Sequence, residues 1–114
     1  MLLGIILTAM PKSFKMTHEQ IGAGMPALVF IYDPNLGVST SQTEQMNKAR
    51  DHLGDQAFFL IAQISTPEGD KLIAEHRARP AELLLFDSSG KLVKRQFALR
   101  DSSELIQWIA ADAP

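Results

Sequence analysis

Apolar and polar positions along this chain fall into blocks of two kinds. Ala27-Leu-Val-Phe-Ile-Tyr32 and Ala57-Phe-Phe-Leu-Ile-Ala62 are unbroken apolar runs of strand-favouring residues, the pattern of strands covered on both faces. Glu82-Leu-Leu-Leu-Phe86 reads the same way. Asp87-Ser-Ser-Gly90 then turns the chain, with glycine supplying a positive φ, into a returning strand over Lys91–Phe97 in which Leu92 alternates with polar neighbours. Residues 2–9 read as one more buried strand, favoured by Ile5 and Ile6 and closed by Pro11.

The blocks between these runs have helical spacing. Residues 13–22 form a short helix candidate, with Ser13 or Thr17 as its cap and Gly22 just beyond its end. Ser41-Gln-Thr-Glu44 has the form of a capping box, and the helix it predicts over 40–53 keeps Met46, Ala49 and Leu53 on one face. Pro67 opens a third helix that buries Leu72 and Ile73 and runs to about Arg77. Asp101 or Ser102 caps a last one over 102–111, burying Leu105, Ile109 and Trp108. The order is βαβαβαββα. Strand–helix–strand units give parallel pairing through right-handed crossovers, and the final hairpin adds antiparallel strands. The expected fold class is therefore α/β, a three-layer αβα sandwich around a mixed sheet.

Composition narrows what such a fold can do. At 114 residues, 46% apolar and 21% charged, the chain is expected to form one domain over 1–114 with a core large enough to fold without staples. A net charge of −2 gives no global pull towards nucleic acid or an anionic membrane. With no cysteine, disulfides, thiolate nucleophiles and cysteine metal sites are excluded. The apolar run Met1–Met10 falls far short of the ~20 residues of a membrane span, and its first lysine, Lys12, follows it rather than precedes it. A soluble cytoplasmic protein is expected. The alternative is periplasmic, with Leu7-Thr8-Ala9 resembling the cleavage site of a truncated export signal.

The layout resembles thioredoxin over nearly its whole length. The resemblance rests on Ala27–Tyr32 as central strand, the Asp33–Val38 turn into a long helix, Pro80 before Leu83-Leu-Leu-Phe-Asp87, the Ser88-Ser-Gly-Lys91 hairpin, and the closing helix with Trp108-Ile109. It implies a thioredoxin-like fold. The dithiol chemistry of that family is excluded, because Asn35-Leu36-Gly37-Val38 stands where the family has Cys-Gly-Pro-Cys, and no thiolate is available at the helix start. Val29 replaces the family's buried acid, and Phe97 stands beside its small substrate-facing loop, where it would narrow the groove. The family's cis-proline corresponds to Pro80, but the stretch from Pro80 to Phe86 is one residue longer than usual. Either the strand bulges, or Ala81 takes the groove position and Pro80 is displaced, which leaves a cis Arg79–Pro80 bond open.

Other chemistry is sparse. His18, His52 and His76 lie on separate segments, without the short spacing of a metal site. His52 is some three helical turns from the hydroxyls at Ser39-Thr40-Ser41 and Thr43, too far to activate one. No cofactor or catalytic residue is expected. What remains is recognition by a redox-inactive thioredoxin-like protein, in a chaperone, assembly or regulatory role. The expected surface is the former active-site edge: Tyr32, Asp33, Pro34, Asn35, Leu36, Arg77, Arg79, Pro80, Ala81 and Phe97, meeting a protein partner. The alternative is a binder or enzyme for a small anionic or glutathione-like ligand, held by the helix N-terminus near Ser39–Ser41 and by Arg79. A monomer is expected, or a weak dimer through strand 91–97, whose Lys91, Lys94 and Arg95 look like edge protection.

Overall fold

Ala27–Tyr32 (β1) forms the centre of the sheet, with its first five residues fully buried. In the computed structural model, which describes residues 14–111, β1 pairs in parallel with Phe58–Gln63 (β2) and antiparallel with Glu82–Phe86 (β3). Leu92–Phe97 (β4) adds antiparallel to β3, so the order is β2-β1-β3-β4. Both faces are covered, which is why the strand sequences are apolar without alternation. Leu28, Phe30, Phe59, Leu83 and Leu85 point to one face, where they meet Met46, Ala49 and Leu53 of helix Gly37–Leu53 (α1) and Leu105 and Ile109 of helix Ser102–Ala111 (α3). Ala27, Val29, Ile31, Leu60, Ala62, Leu84 and Phe86 point to the other, under Leu72 of helix Pro67–His76 (α2). Each fully buried Leu, Ile or Phe side chain contributes about 1.5–3 kcal/mol of transfer free energy.

Three layers, a mixed sheet and helices on both faces match the expected α/β class. The first predicted strand, 2–9, lies outside the described residues. The helix expected over 13–22 is replaced within them by an extended stretch and turns. Lys15 pairs in parallel with Leu60 and accepts the Ile61 N–H at 2.9 Å, and the His18 Nε2 lies 2.9 Å from the Ile61 carbonyl oxygen. Such a short helix is marginal in water, and the edge of β2 offers this segment a ladder instead. The chain then turns at Gly22 and Gly24, both at positive φ, and the Gly24 N–H reaches the Ser88 carbonyl in the β3–β4 turn.

The capping box is also corrected. α1 begins three residues earlier than expected, with Leu36 as a cap that makes no side-chain bond, so Ser41 lies inside the helix. The turn Asp33-Pro34-Asn35-Leu36 feeds directly into α1. Ser39, fully buried in the first turn, reaches back and accepts the Asp33 N–H at 3.1 Å. α2 opens at Pro67 as expected. Thr66 caps it by accepting the Gly69 N–H at 3.1 Å.

The candidate functional edge

Three loops meet where β1 ends. The Ala81 N–H donates to the Ile31 carbonyl at 3.0 Å, and the Ala81 carbonyl accepts the Ala98 N–H at 2.8 Å. This pair of bonds ties together the end of β1, the start of β3 and the end of β4. It brings Tyr32–Leu36, Arg79–Ala81 and Phe97 to one edge of the molecule. Pro34, Asn35, Leu36, Arg79, Pro80 and Phe97 are exposed there, while Tyr32, Asp33 and Ala81 are half-buried.

The loop leading into α1 is a closed unit. The Leu36 N–H donates to the Asp33 carbonyl at 3.0 Å, and the Asp33 carboxylate accepts the Asn35 N–H at 2.9 Å, an Asx turn that fixes the approach to the helix. Asn35 lies in this turn and Val38 in the first turn of α1, so the two positions that the resemblance aligns with the thioredoxin cysteines carry unreactive groups. Val29 is fully buried among apolar side chains of the α2 face, where a carboxylate would suffer desolvation with nothing to serve.

Pro80 settles the question raised by the extra residue. The Arg79–Pro80 bond is trans, and the cis bond in this region is Ala98–Leu99. The Glu82 N–H donates to the Arg79 carbonyl at 3.2 Å with Ala81 at φ +67°, a turn of the type II form with proline second and a left-handed residue third. The added residue is absorbed in this turn. Ala81 therefore takes the central position beside Ile31, and Pro80 is displaced outwards.

Behind the turn stands a charge pair that sequence reasoning missed. Glu82, only 6% exposed, accepts both Arg95 Nε at 2.7 Å and Arg95 Nη2 at 3.0 Å, and also takes the Arg79 N–H at 3.0 Å. The Arg95 bonds hold the Glu82 carboxyl below the usual carboxylate range, helped by the Arg79 N–H and opposed by burial. Arg95 also donates to the carbonyls of His76 and Arg77 at the end of α2. Arg95 thus works inwards as a clamp rather than outwards as an edge charge. The signal in the sequence was an acid opening an otherwise apolar strand. Arg77 caps α2 at φ +51°, and its exposed side chain, like that of Arg79, makes no hydrogen bond or ion pair among the described residues.

The loop after β4 was missed as well. Gln42, fully buried on α1, accepts the Arg100 N–H at 2.8 Å and donates to the Arg100 carbonyl at 2.9 Å. Gln45 takes the Ser102 N–H at 3.0 Å. This frame holds Leu99 out at 53% exposure, alongside Phe97 at 49% and Leu36 at 38%. The available signal was Gln42 itself, a polar residue on the helical stripe Ser39, Met46, Ala49, Leu53.

The ligand reading loses part of its basis. Ser39 is buried and already bonded to Asp33, and Ser41 lies beyond the first turn of α1. A concavity of about 520 Å³ lies elsewhere, bordered by His18, Glu68, Lys71, Glu75, His76 and Phe86. A smaller one of about 330 Å³ lies beside Tyr32, between Phe14, Met16, Ile61 and the α1 residues Thr43 and Asn47. No group of three or more His, Asp or Glu side chains among the described residues is placed to hold a metal ion. Among the described residues, no helix is long and apolar enough to cross a membrane.

No protein-family profile matches the chain, and no curated protein sequence matches it. Solved structures do. Trxlp from Edwardsiella tarda superposes with a TM-score of 0.70 at 16% identity, over 85% of this chain and 98% of that one. A thioredoxin-like protein from Clostridium perfringens gives 0.71 at 9% identity, over 88% and 79%. The exposed lipoprotein thioredoxin of Streptococcus pneumoniae gives 0.69 at 13% identity, over 79% and 87%. At these identities the likeness establishes the architecture alone, and the fold of this chain is thioredoxin-like, built without a single cysteine.

Proposed function

We propose that the protein is a non-catalytic binding module that docks a protein partner on the edge where β1, β3 and β4 meet. One observation carries this reading. Leu36, Phe97 and Leu99, three of the exposed large apolar side chains, stand on that edge, on loops held by Gln42, Ser39, Ala81 and Arg95. Exposed apolar residues on a rigid, preorganised frame bind with little ordering cost, and they lose the contact of water when a partner covers them. The absence of a thiol leaves recognition as the use for this edge. A chaperone, assembly or regulatory role fits by analogy of fold.

The test is capture of partners by the tagged protein, compared with a Leu36→Asp/Leu99→Asp variant of matched thermal stability. Loss of a specific partner in the variant is the expected result. Amide shift mapping with that partner should then move residues 33–38, 79–82 and 96–100. Shifts confined to the outer faces of α2 and α3 would sink the assignment.

A further inference from the structure

We infer that the partner segment taken by this edge is acidic as well as apolar, with its carboxylates meeting Arg77 and Arg79. The inference rests on the docking reading and adds the chemistry of the occupant. Although the whole chain carries −2, the carboxylates near the edge are already engaged. Glu82 is neutralised by two Arg95 bonds. The Asp33 carboxylate holds the Asn35 N–H, Asp101 holds the Glu104 N–H, and Glu104 pairs with Arg100 at 3.1 Å. Arg77 and Arg79 are exposed and make no side-chain hydrogen bond among the described residues; the Arg79 charge acts on Glu82, but that single carboxylate is already bonded to Arg95, so three guanidinium groups stand against one acid. Arg79 is fixed through its backbone N–H to Glu82, and Arg77 through its carbonyl to Arg95.

Register places Phe97 beside the basic segment. Phe97 lies opposite Glu82, and directly opposed residues share a face of the sheet. Phe97 therefore stands on the face where Glu82 receives the Arg79 N–H. A segment crossing the edge would lay apolar side chains on Phe97, Leu99 and Leu36 and present carboxylates to two guanidinium groups that no hydrogen bond ties inwards. Paired forks of that kind favour carboxylates geometrically as well as by charge. A basic segment would meet repulsion from both guanidinium groups.

The experiment uses three short fluorescent peptides of one length, in which leucines alternate with glutamates, with glutamines or with lysines, titrated against the full chain by anisotropy and amide shift mapping. The glutamate peptide should bind the edge at least about tenfold more tightly than the lysine peptide, with affinity falling as salt rises. Arg77→Glu/Arg79→Glu should reverse the preference, and Arg77→Gln/Arg79→Gln, which sets no acid at the end of α2 or beside Glu82, should abolish it while the chain stays folded by circular dichroism. If glutamine and glutamate peptides bind the edge equally and charge reversal changes neither, the acidic assignment falls while the docking surface stands. If the lysine peptide binds best, or the glutamate peptide leaves the edge amides unmoved, the inference is overturned. Docking of a protein partner is judged separately by the Leu36→Asp/Leu99→Asp variant.

Discussion

Two small residues in this structure stand where a methyl group decides the outcome. Gly69 sits in the first turn of α2 against the end of β2. A Cβ there would be driven into the Gln63 carbonyl and would come within 2.7 Å of Thr66 Oγ1. Neither neighbour can yield, because the Gln63 carbonyl accepts the Thr66 hydroxyl and Thr66 caps the helix. Gly69→Ala should therefore cost about 2–3 kcal/mol, as overpacking does in a rigid site; an unchanged urea midpoint would show that α2 can shift freely. Ala81 is the opposite case. At φ +67° its methyl group is strained, since the left-handed region costs a non-glycine residue roughly 1–2 kcal/mol. Ala81→Gly should relieve that strain against a smaller entropic loss and raise stability by about 0.5 kcal/mol or more. A loss of stability would mean that packing of the Ala81 methyl group against the core outweighs the turn.

Elements defined by apolar runs were legible in the sequence, because burial on both faces leaves no other reading for Ala27–Tyr32, Phe58–Gln63 or Glu82–Phe86. What escaped was set by contacts distant along the chain. The helix signal over 13–22 gave way, within the described residues, to a bridge of Lys15 beside Leu60 of β2 followed by turns. The start of α1 is fixed by Ser39 reaching back to Asp33 rather than by the Ser41–Glu44 pattern. Leu36, Ala81 and Phe97 were named from the sequence, and in the structure they lie on the loops that meet where β1 ends. Leu99 and its clamp went unseen, because Gln42 and Arg100 are 58 residues apart in sequence. The Glu82–Arg95 pair likewise appears only when β3 and β4 are in register, and it has a consequence for pH. A carboxyl held below its ordinary value of 4.5 by Arg95 stabilises the fold above the unfolded pKa and loses that contribution as pH falls through the folded one. Glu82→Gln should thus be less stable than the parent at neutral pH, and the two should converge under acid conditions below about 4.5. Parallel denaturation midpoints across that range would show that the pair is not the responsible group.

At the scale of the whole molecule, the outer side of β4, which pairs with no strand among the described residues, decides whether copies of the chain can join. Ala98 donates to Ala81 across the β3–β4 ladder, so by antiparallel alternation Lys94 and Gln96 face β3 while Arg95 and Phe97 present their backbone outwards. An outward row of that kind invites another strand. Here it is short at both ends. The register breaks between Leu85 and Phe86, placing a bulge at Val93, and at the far end the Phe97 carbonyl already accepts Arg100 Nε at 3.1 Å. The same guanidinium is held by Gln96 at 3.0 Å and Glu104 at 3.1 Å, so this block is fixed in place. These features favour the monomer, with any dimer weaker than about 1 mM, roughly −4 kcal/mol. Arg100→Ala leaves the backbone clamp from Gln42 intact and frees the Phe97 carbonyl, so it should strengthen self-association measurably in sedimentation velocity. A parent chain that dimerises at micromolar concentration, or an Arg100→Ala variant that associates no more than the parent, would show that this edge is governed by something other than the arginine and the bulge.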